Sequence, residues 1–216
     1  MNNGHGLDIK PEYHTLATCI ATRLLQDHPG AANERLVIGI AGESGSGKSI
    51  TATCLSHDLG PRGLRTSIIH QDNYFFRPPR TNHEHRLGDL TQVGPQEVDL
   101  DLIAAHIAAF RAGAAHVEGP QVDYPGNRFV KQTFDFSTCN VLIVEGTYVL
   151  DLTQVDVRIF LTATHEDTRD RRRERNRDID APVINDILAI EHRLIAPQRR
   201  RADIVIDRHF AISRPG

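Results

Sequence analysis

Leu36-Val37-Ile38-Gly39-Ile40-Ala41-Gly42-Glu43-Ser44-Gly45-Ser46-Gly47-Lys48-Ser49 is the stretch that decides the fold. Leu36 to Ala41 is an apolar run bounded by glycine, which reads as a strand buried on both faces of a sheet. Gly42 to Ser49 fits G-x-x-x-x-G-K-[ST] at every fixed position, and a helix-forming stretch runs from Gly47 towards Leu59. Strand, glycine loop and helix in that order make a phosphate cradle. Glycine allows the backbone to turn its N–H groups inward at φ values that a side chain forbids. The helix N-terminus aims its dipole at the anion. Lys48 is placed to bring charge to the β- and γ-phosphates, and Ser49 to offer a hydroxyl to Mg²⁺. The nucleotide contacts predicted are therefore Gly42, Ser44, Gly45, Ser46, Gly47, Lys48 and Ser49, with ATP and Mg²⁺ as the cofactors.

On the N-terminal side, residues 1–10 are polar and glycine-rich. Pro11 to His28 has Leu16, Cys19, Ile20 and Leu24 at helical spacing, and Pro29-Gly30 ends it. Residues 1–33 read as an extension whose amphipathic helix packs on a sheet edge, and 34–216 as the catalytic domain. On the C-terminal side, Thr66–His70, Val141–Val144, Val157–Leu161 and Ala202–Ile206 are predicted strands. Val117–Tyr124 and Arg128–Phe136, joined by Pro125-Gly126-Asn127, read as a strand pair. Pro95–Ala112, His165–Asp178 and Pro182–Ala196 are predicted helices, and Asp72–Val98 a long irregular loop. Strands alternating with helices imply an α/β fold, a doubly wound, mostly parallel sheet of the P-loop NTPase type. A small strand pair and an arginine-rich lid over about residues 165–180 complete the expectation.

Composition excludes several function classes. A net charge of −3, from 25 basic and 28 acidic residues, shows no bias towards nucleic acid or an anionic membrane. No apolar run approaches the ~20 residues that span a bilayer. Cys19, Cys54 and Cys139 match no metal or redox spacing and read as reduced thiols. The start has neither a basic nor an apolar segment of a signal peptide. These features imply a cytoplasmic protein with a small-molecule partner; a homo-oligomer stays open. His83-Glu84-His85 lacks a third ligand and is read as polar surface.

Three segments carry the chemistry beyond binding. Asp72 follows the second strand, where ligands collect in open α/β sheets, and a carboxylate there can take the proton of an attacking hydroxyl. Tyr74, Phe75 and Phe76 beside it suit an acceptor pocket. Glu145 ends the strand Val141–Val144 in the position that holds Mg²⁺ directly or through water. Between Arg169 and Arg177 lie six arginines, with Arg169, Arg173 and Arg177 on one helical face. Such clusters clamp a transferring phosphoryl group.

The order of these motifs resembles the uridine kinase branch of the uridine kinase/phosphoribulokinase family, a nucleoside-kinase type of P-loop fold. The resemblance rests on Gly42-to-Ser49, Gln71-Asp72, Pro95-to-Tyr124, Val144-Glu145-Gly146, Asp167-Thr168-Arg169, Glu174-Arg175-Asn176-Arg177-Asp178 and Ala202-to-Ile206. It implies Asp72 as general base, Glu145 on Mg²⁺, and Arg173 with Arg175 and Arg177 on phosphates; Tyr74, Phe75 and Tyr124 would contact the acceptor. Departures fall on the nucleoside side. The family's Asp-His-Pro, whose aspartate holds the ribose, reads Val93-Gly94-Pro95 here, and its pyrimidine-reading histidine is replaced by Pro125-Gly126-Asn127 after Tyr124. Asp89 is the alternative ribose contact. The function expected is an ATP- and Mg-dependent, uridine kinase-like phosphotransferase. The alternatives are the same chemistry on another nucleoside, a sugar derivative or a pantothenate-like vitamin, or an ATPase switch acting on a protein.

Overall fold

The computed structural model describes residues 9–168 and 182–213. Six strands form one sheet: β1 (Leu36–Gly42), β2 (Thr66–His70), β5 (Val141–Glu145), β6 (Val157–Leu161), β7 (Ile204–Ile206) and β8 (Ile212–Ser213). Their order is β2-β5-β1-β6-β7-β8, parallel except for β8. β3 (His116–Asp123) and β4 (Arg128–Asp135) pair as a separate antiparallel hairpin. The helices are α1 (Pro11–Asp27), α2 (Lys48–Leu59), α3 (Pro79–Gly88), α4 (Leu100–Arg111) and α5 (Pro182–Ile195). Among the described residues no helix is long and apolar enough to cross a membrane.

The central strands read as continuous apolar runs because both faces are covered. Ile38, Ile40, Ile143 and Ile159 pack with α1 and α2 through Leu16, Ile20, Leu24, Leu55 and Leu59. Val37, Leu142, Val144 and Phe160 join a second cluster with Ile103, Ile107 and Phe110 of α4. Alternate residues of one strand thus feed opposite cores, as the two-residue side-chain period requires.

Several elements depart from expectation. Residues 72–98 are not irregular throughout: α3 occupies Pro79–Gly88, started by Pro79 at its first turn. The helix expected from Pro95 begins at Leu100, because Asp99 caps it by accepting from the Leu102 N–H at 2.9 Å. Pro95–Glu97 is a separate 3₁₀ turn. α1 packs against α2 over the sheet face rather than along an edge, since its Leu16–Ile20–Leu24 stripe matches the apolar side of α2. β8 extends the sheet beyond β7.

Parallel register brings the carboxyl ends of β2, β5, β1 and β6 to one side of the molecule, where such sheets bind ligands. His70 lies opposite Glu145, Ile40 opposite Glu145, and Gly42 opposite Leu161.

Candidate active site

The glycine loop has the backbone that its sequence demands. Gly42, Gly45 and Gly47 hold φ of 151°, 78° and 102°. A Cβ on Gly42 would stand 2.7 Å from the Leu161 carbonyl oxygen and 2.8 Å from Ser46 Oγ, and one on Gly47 would strike the Tyr13 hydroxyl. The loop closes into α2 at Lys48. Ser46 Oγ is buried with no hydrogen-bond partner among the described residues, which suits a ligand oxygen. Lys48 Nζ donates to the Glu43 carbonyl at 2.9 Å.

Two hydrogen bonds meet on one oxygen of Glu145. Ser49 Oγ donates to Oε1 at 3.0 Å, and His70 Nδ1 lies 2.7 Å from the same atom. Glu145 is 4% exposed. Burial pushes its carboxyl up, yet the His70 hydrogen bond, the Lys48 and His70 charges and the Ser49 hydroxyl outweigh it and hold it below the ordinary range. Burial alone would lower His70, and the Glu145 hydrogen bond and charge, with Asp72, raise it above its ordinary value. Asp72 is exposed on the 3₁₀ turn Gln71–Tyr74 at the end of β2. That turn is fixed by Gln71, which is fully buried: its Nε2 donates to Thr147 Oγ1 at 2.8 Å and its Oε1 accepts from the Tyr148 N–H at 2.8 Å.

The expected acceptor residues are divided among three environments. Tyr74 is a core residue, 1% exposed, with its hydroxyl 2.9 Å from His106 Nδ1. Phe75 is half-buried, with the Arg86 guanidinium 5.7 Å from its ring centre. Tyr124 is 56% exposed at the β3–β4 turn. The turn after it is engaged with α3: Asn127 Oδ1 accepts from the Arg80 N–H at 2.9 Å and Asn127 Nδ2 donates to Thr81 at 3.0 Å. Val93 is buried, and Asp89 serves as a local cap, accepting from the Thr91 N–H and hydroxyl and from Gln92. Arg173, Arg175 and Arg177 lie outside the described residues.

Sequence reading missed two polar constellations. Arg86 on α3 makes two 2.7 Å hydrogen bonds to Glu97 and pairs with Glu191 of α5 at 3.1 Å, all three largely buried. Glu97 also accepts from Asn82 and from the Gly94 N–H, so it shapes the loop that carries Val93. Burial pushes the Glu191 carboxyl up against the pull of Arg86 and Lys48. Glu43, inside the glycine loop, accepts from the His165 N–H at 2.7 Å and lies 2.9 Å from His165 Nδ1 and 2.6 Å from His192 Nδ1. The available signals were a carboxylate at a variable loop position and an acidic residue, Glu191, on the apolar stripe of α5.

The chain is similar to several known proteins. A stretch of the chain is 31% identical over 197 residues to the bifunctional alpha-galactosidase/sucrose kinase of Mediterraneibacter gnavus, covering 85% of this chain but 21% of that protein. It is 30% identical over 187 residues to a uridine kinase of Staphylococcus epidermidis, covering 81% of this chain and 88% of that one. The structure of a protein from Bacillus stearothermophilus, described as a "possible uridine kinase", superposes with a TM-score of 0.63 at 19% identity over 90% of this chain and 98% of that one. The model of the phosphoribulokinase / uridine kinase family matches residues 37–211. The chain therefore belongs to the phosphoribulokinase / uridine kinase family, and with it to the phosphotransferases that act on a hydroxyl acceptor.

Proposed function

We propose that the protein is an ATP- and Mg²⁺-dependent kinase of the cytoplasm that phosphorylates a hydroxyl of a small metabolite other than uridine. The observation that carries this reading is the meeting of Ser49 and Glu145 at 3.0 Å beside the Lys48-bearing glycine loop. Two hard oxygen donors so placed fit Mg²⁺, with Ser49 and Glu145 as its protein ligands. Bound there, the cation would supply charge to the nucleotide phosphates.

The chain's own groups divide the remaining work. The backbone N–H groups of residues 42–49 and the Lys48 ammonium hold the phosphates. Asp72, near His70 at the end of β2, accepts the proton of the acceptor hydroxyl while the acceptor oxygen bonds the γ-phosphorus and the bond from phosphorus to the bridging oxygen of ADP breaks. Arg173, Arg175 and Arg177 neutralise the phosphoryl oxygens from the lid side. Phe75 offers an apolar wall to the acceptor.

Uridine is disfavoured by the same geometry. Val93 offers a ribose diol no hydrogen bond, Asp89 is spent on its own turn, and Asn127 is tied to α3. A second reading, a sugar hydroxyl as acceptor, is favoured by the 31% identity to a protein named for a sucrose kinase activity. Acceptor-dependent ADP release, measured against uridine, cytidine, monosaccharides, sucrose and pantothenate-like vitamins, tests the reading. ADP release that ignores every acceptor would point instead to a switch-type ATPase.

A further inference from the structure

Among the described residues, one cluster brings three side chains of metal-ligating type together: Glu43, His165 and His192, whose ligand atoms lie within 4.8 Å of one another. They come from three separate elements, namely the glycine loop, the segment after β6, and α5. We propose that Glu43, His165 and His192 form a binding site for a borderline transition-metal ion such as Zn²⁺, separate from the Mg²⁺ position at Ser49 and Glu145.

Donor chemistry favours this class of ion. Two imidazoles and one carboxylate form a common zinc set, whereas Mg²⁺ prefers an all-oxygen shell and keeps its waters. Geometry needs little adjustment. His192 Nδ1 and His165 Nδ1 stand 2.6 and 2.9 Å from the two oxygens of Glu43. Around a tetrahedral ion with bonds of about 2.0–2.1 Å, neighbouring donor atoms sit roughly 3.3 Å apart, so the His192 and His165 contacts to Glu43 widen by about 0.7 and 0.4 Å. An ion needs both ring nitrogens free of protons, so a proton carried on a ligating nitrogen would leave to solvent as the ion enters.

The surroundings resemble a supported site. The His165 N–H donates to Glu43 Oε2 at 2.7 Å and so orients the carboxylate, as outer-shell donors do in metal centres. Glu43 is 8% exposed by its side chain, His165 20% and His192 43%. One side of the cluster is therefore open, which gives an ion its entry path and leaves room for water as a fourth ligand. The two rings stand 5.8 Å apart and are inclined at 65°, edge to face rather than stacked. The Glu43 backbone carbonyl accepts from Lys48 Nζ at 2.9 Å, so the residue that would ligate the ion through its side chain also touches the ammonium of the glycine loop through its main chain.

Zinc competition against a chromogenic chelator tests the site on the full chain, with Mg²⁺ held at about 5 mM so that hard-oxygen positions are filled. The expected result is one Zn²⁺ per chain, with Co²⁺ in its place giving the visible absorption of a four-coordinate ion. His192→Ala and Glu43→Gln should each weaken Zn²⁺ binding by about tenfold or more. His192 is partly exposed on a helix, where alanine is a good helix former, so that variant decides the matter even where Glu43→Gln perturbs the loop. Equal zinc affinity in wild type and His192→Ala, or no competition with the chelator, overturns the proposal. The readout is metal occupancy, so it fails or succeeds independently of which acceptor the kinase uses.

Discussion

The Ser49 hydroxyl donates to Oε1 of Glu145 at 3.0 Å across 96 residues of sequence. β1, which leads into the glycine loop, pairs directly with β5, and their register sets Ile40 opposite Glu145. The glycine loop then carries Ser49 back over the strand ends. A helix start and a strand end are thereby fixed against each other by the sheet, which is what a rigid cation position needs.

Lys48→Ala should abolish ATP turnover. Its ammonium, held at 2.9 Å from the Glu43 carbonyl, is the cation of the glycine loop. Near-normal kcat in the variant would show that the phosphates bind elsewhere.

Asp72→Asn should lower kcat by roughly 10²–10⁴ and leave the KM for ATP nearly unchanged, as removal of a general base does. The carboxylate sits exposed at the end of β2, outside the glycine loop. A loss confined to ATP affinity would remove Asp72 from the catalytic role.

Uridine and cytidine should be poor substrates, with kcat/KM below ~10⁴ M⁻¹s⁻¹. Val93 is 4% exposed and apolar, and the turn after Tyr124 is engaged with α3. A site lacking the polar partner of a substrate hydroxyl loses discrimination for it. Steady-state kinetics decide, and a value above ~10⁵ M⁻¹s⁻¹ for either nucleoside sinks the prediction.

Arg86→Ala should destabilise the fold by about 3–5 kcal/mol, because it strands the buried carboxylates of Glu97 and Glu191. Urea unfolding of the single variant and of Arg86→Ala with Glu97→Gln separates the causes. Partial recovery in the double variant identifies the uncompensated charge; an unchanged loss assigns the effect to packing.

Stability should also fall as pH rises above about 4.5 at one identifiable group. Glu191 has its carboxyl raised above the ordinary 4.5, mainly by burial. In that window the folded chain keeps a proton that the unfolded chain releases, so each step up in pH costs folding free energy. Glu191→Gln should flatten this part of the pH–stability curve, measured by denaturant midpoints. An unaltered slope would mean that Glu191 does not titrate there.

The elements that were legible in the sequence are those whose signal is local. β2 and β6 have the bounds their apolar runs predict, and α2 starts within one residue of its expected position, because strand burial and glycine conformation are written in neighbouring residues. α3 was not legible: Pro79–Gly88 is polar almost throughout, with Asn82 its one buried residue, and buried contacts from Glu97 rather than an apolar stripe hold it. Tyr74 shows the same limit at the site. Adjacent to Asp72 and aromatic, it reads as an acceptor contact, yet the hairpin and α4 close over it and His106 takes its hydroxyl.

By itself the sequence determined the phosphate cradle, the parallel α/β sheet and the carboxylates at its strand ends. Each depends on residue type, spacing and φ preference within a short window. Only the tertiary structure decided which distant groups share an atom. Glu145 gathers Ser49 and His70, Arg86 gathers Glu97 and Glu191, and Glu43 gathers His165 and His192. The physical reason is that a buried carboxylate must be satisfied by whatever donors the fold delivers to it, and delivery is set by strand order and helix packing over separations of up to 149 residues.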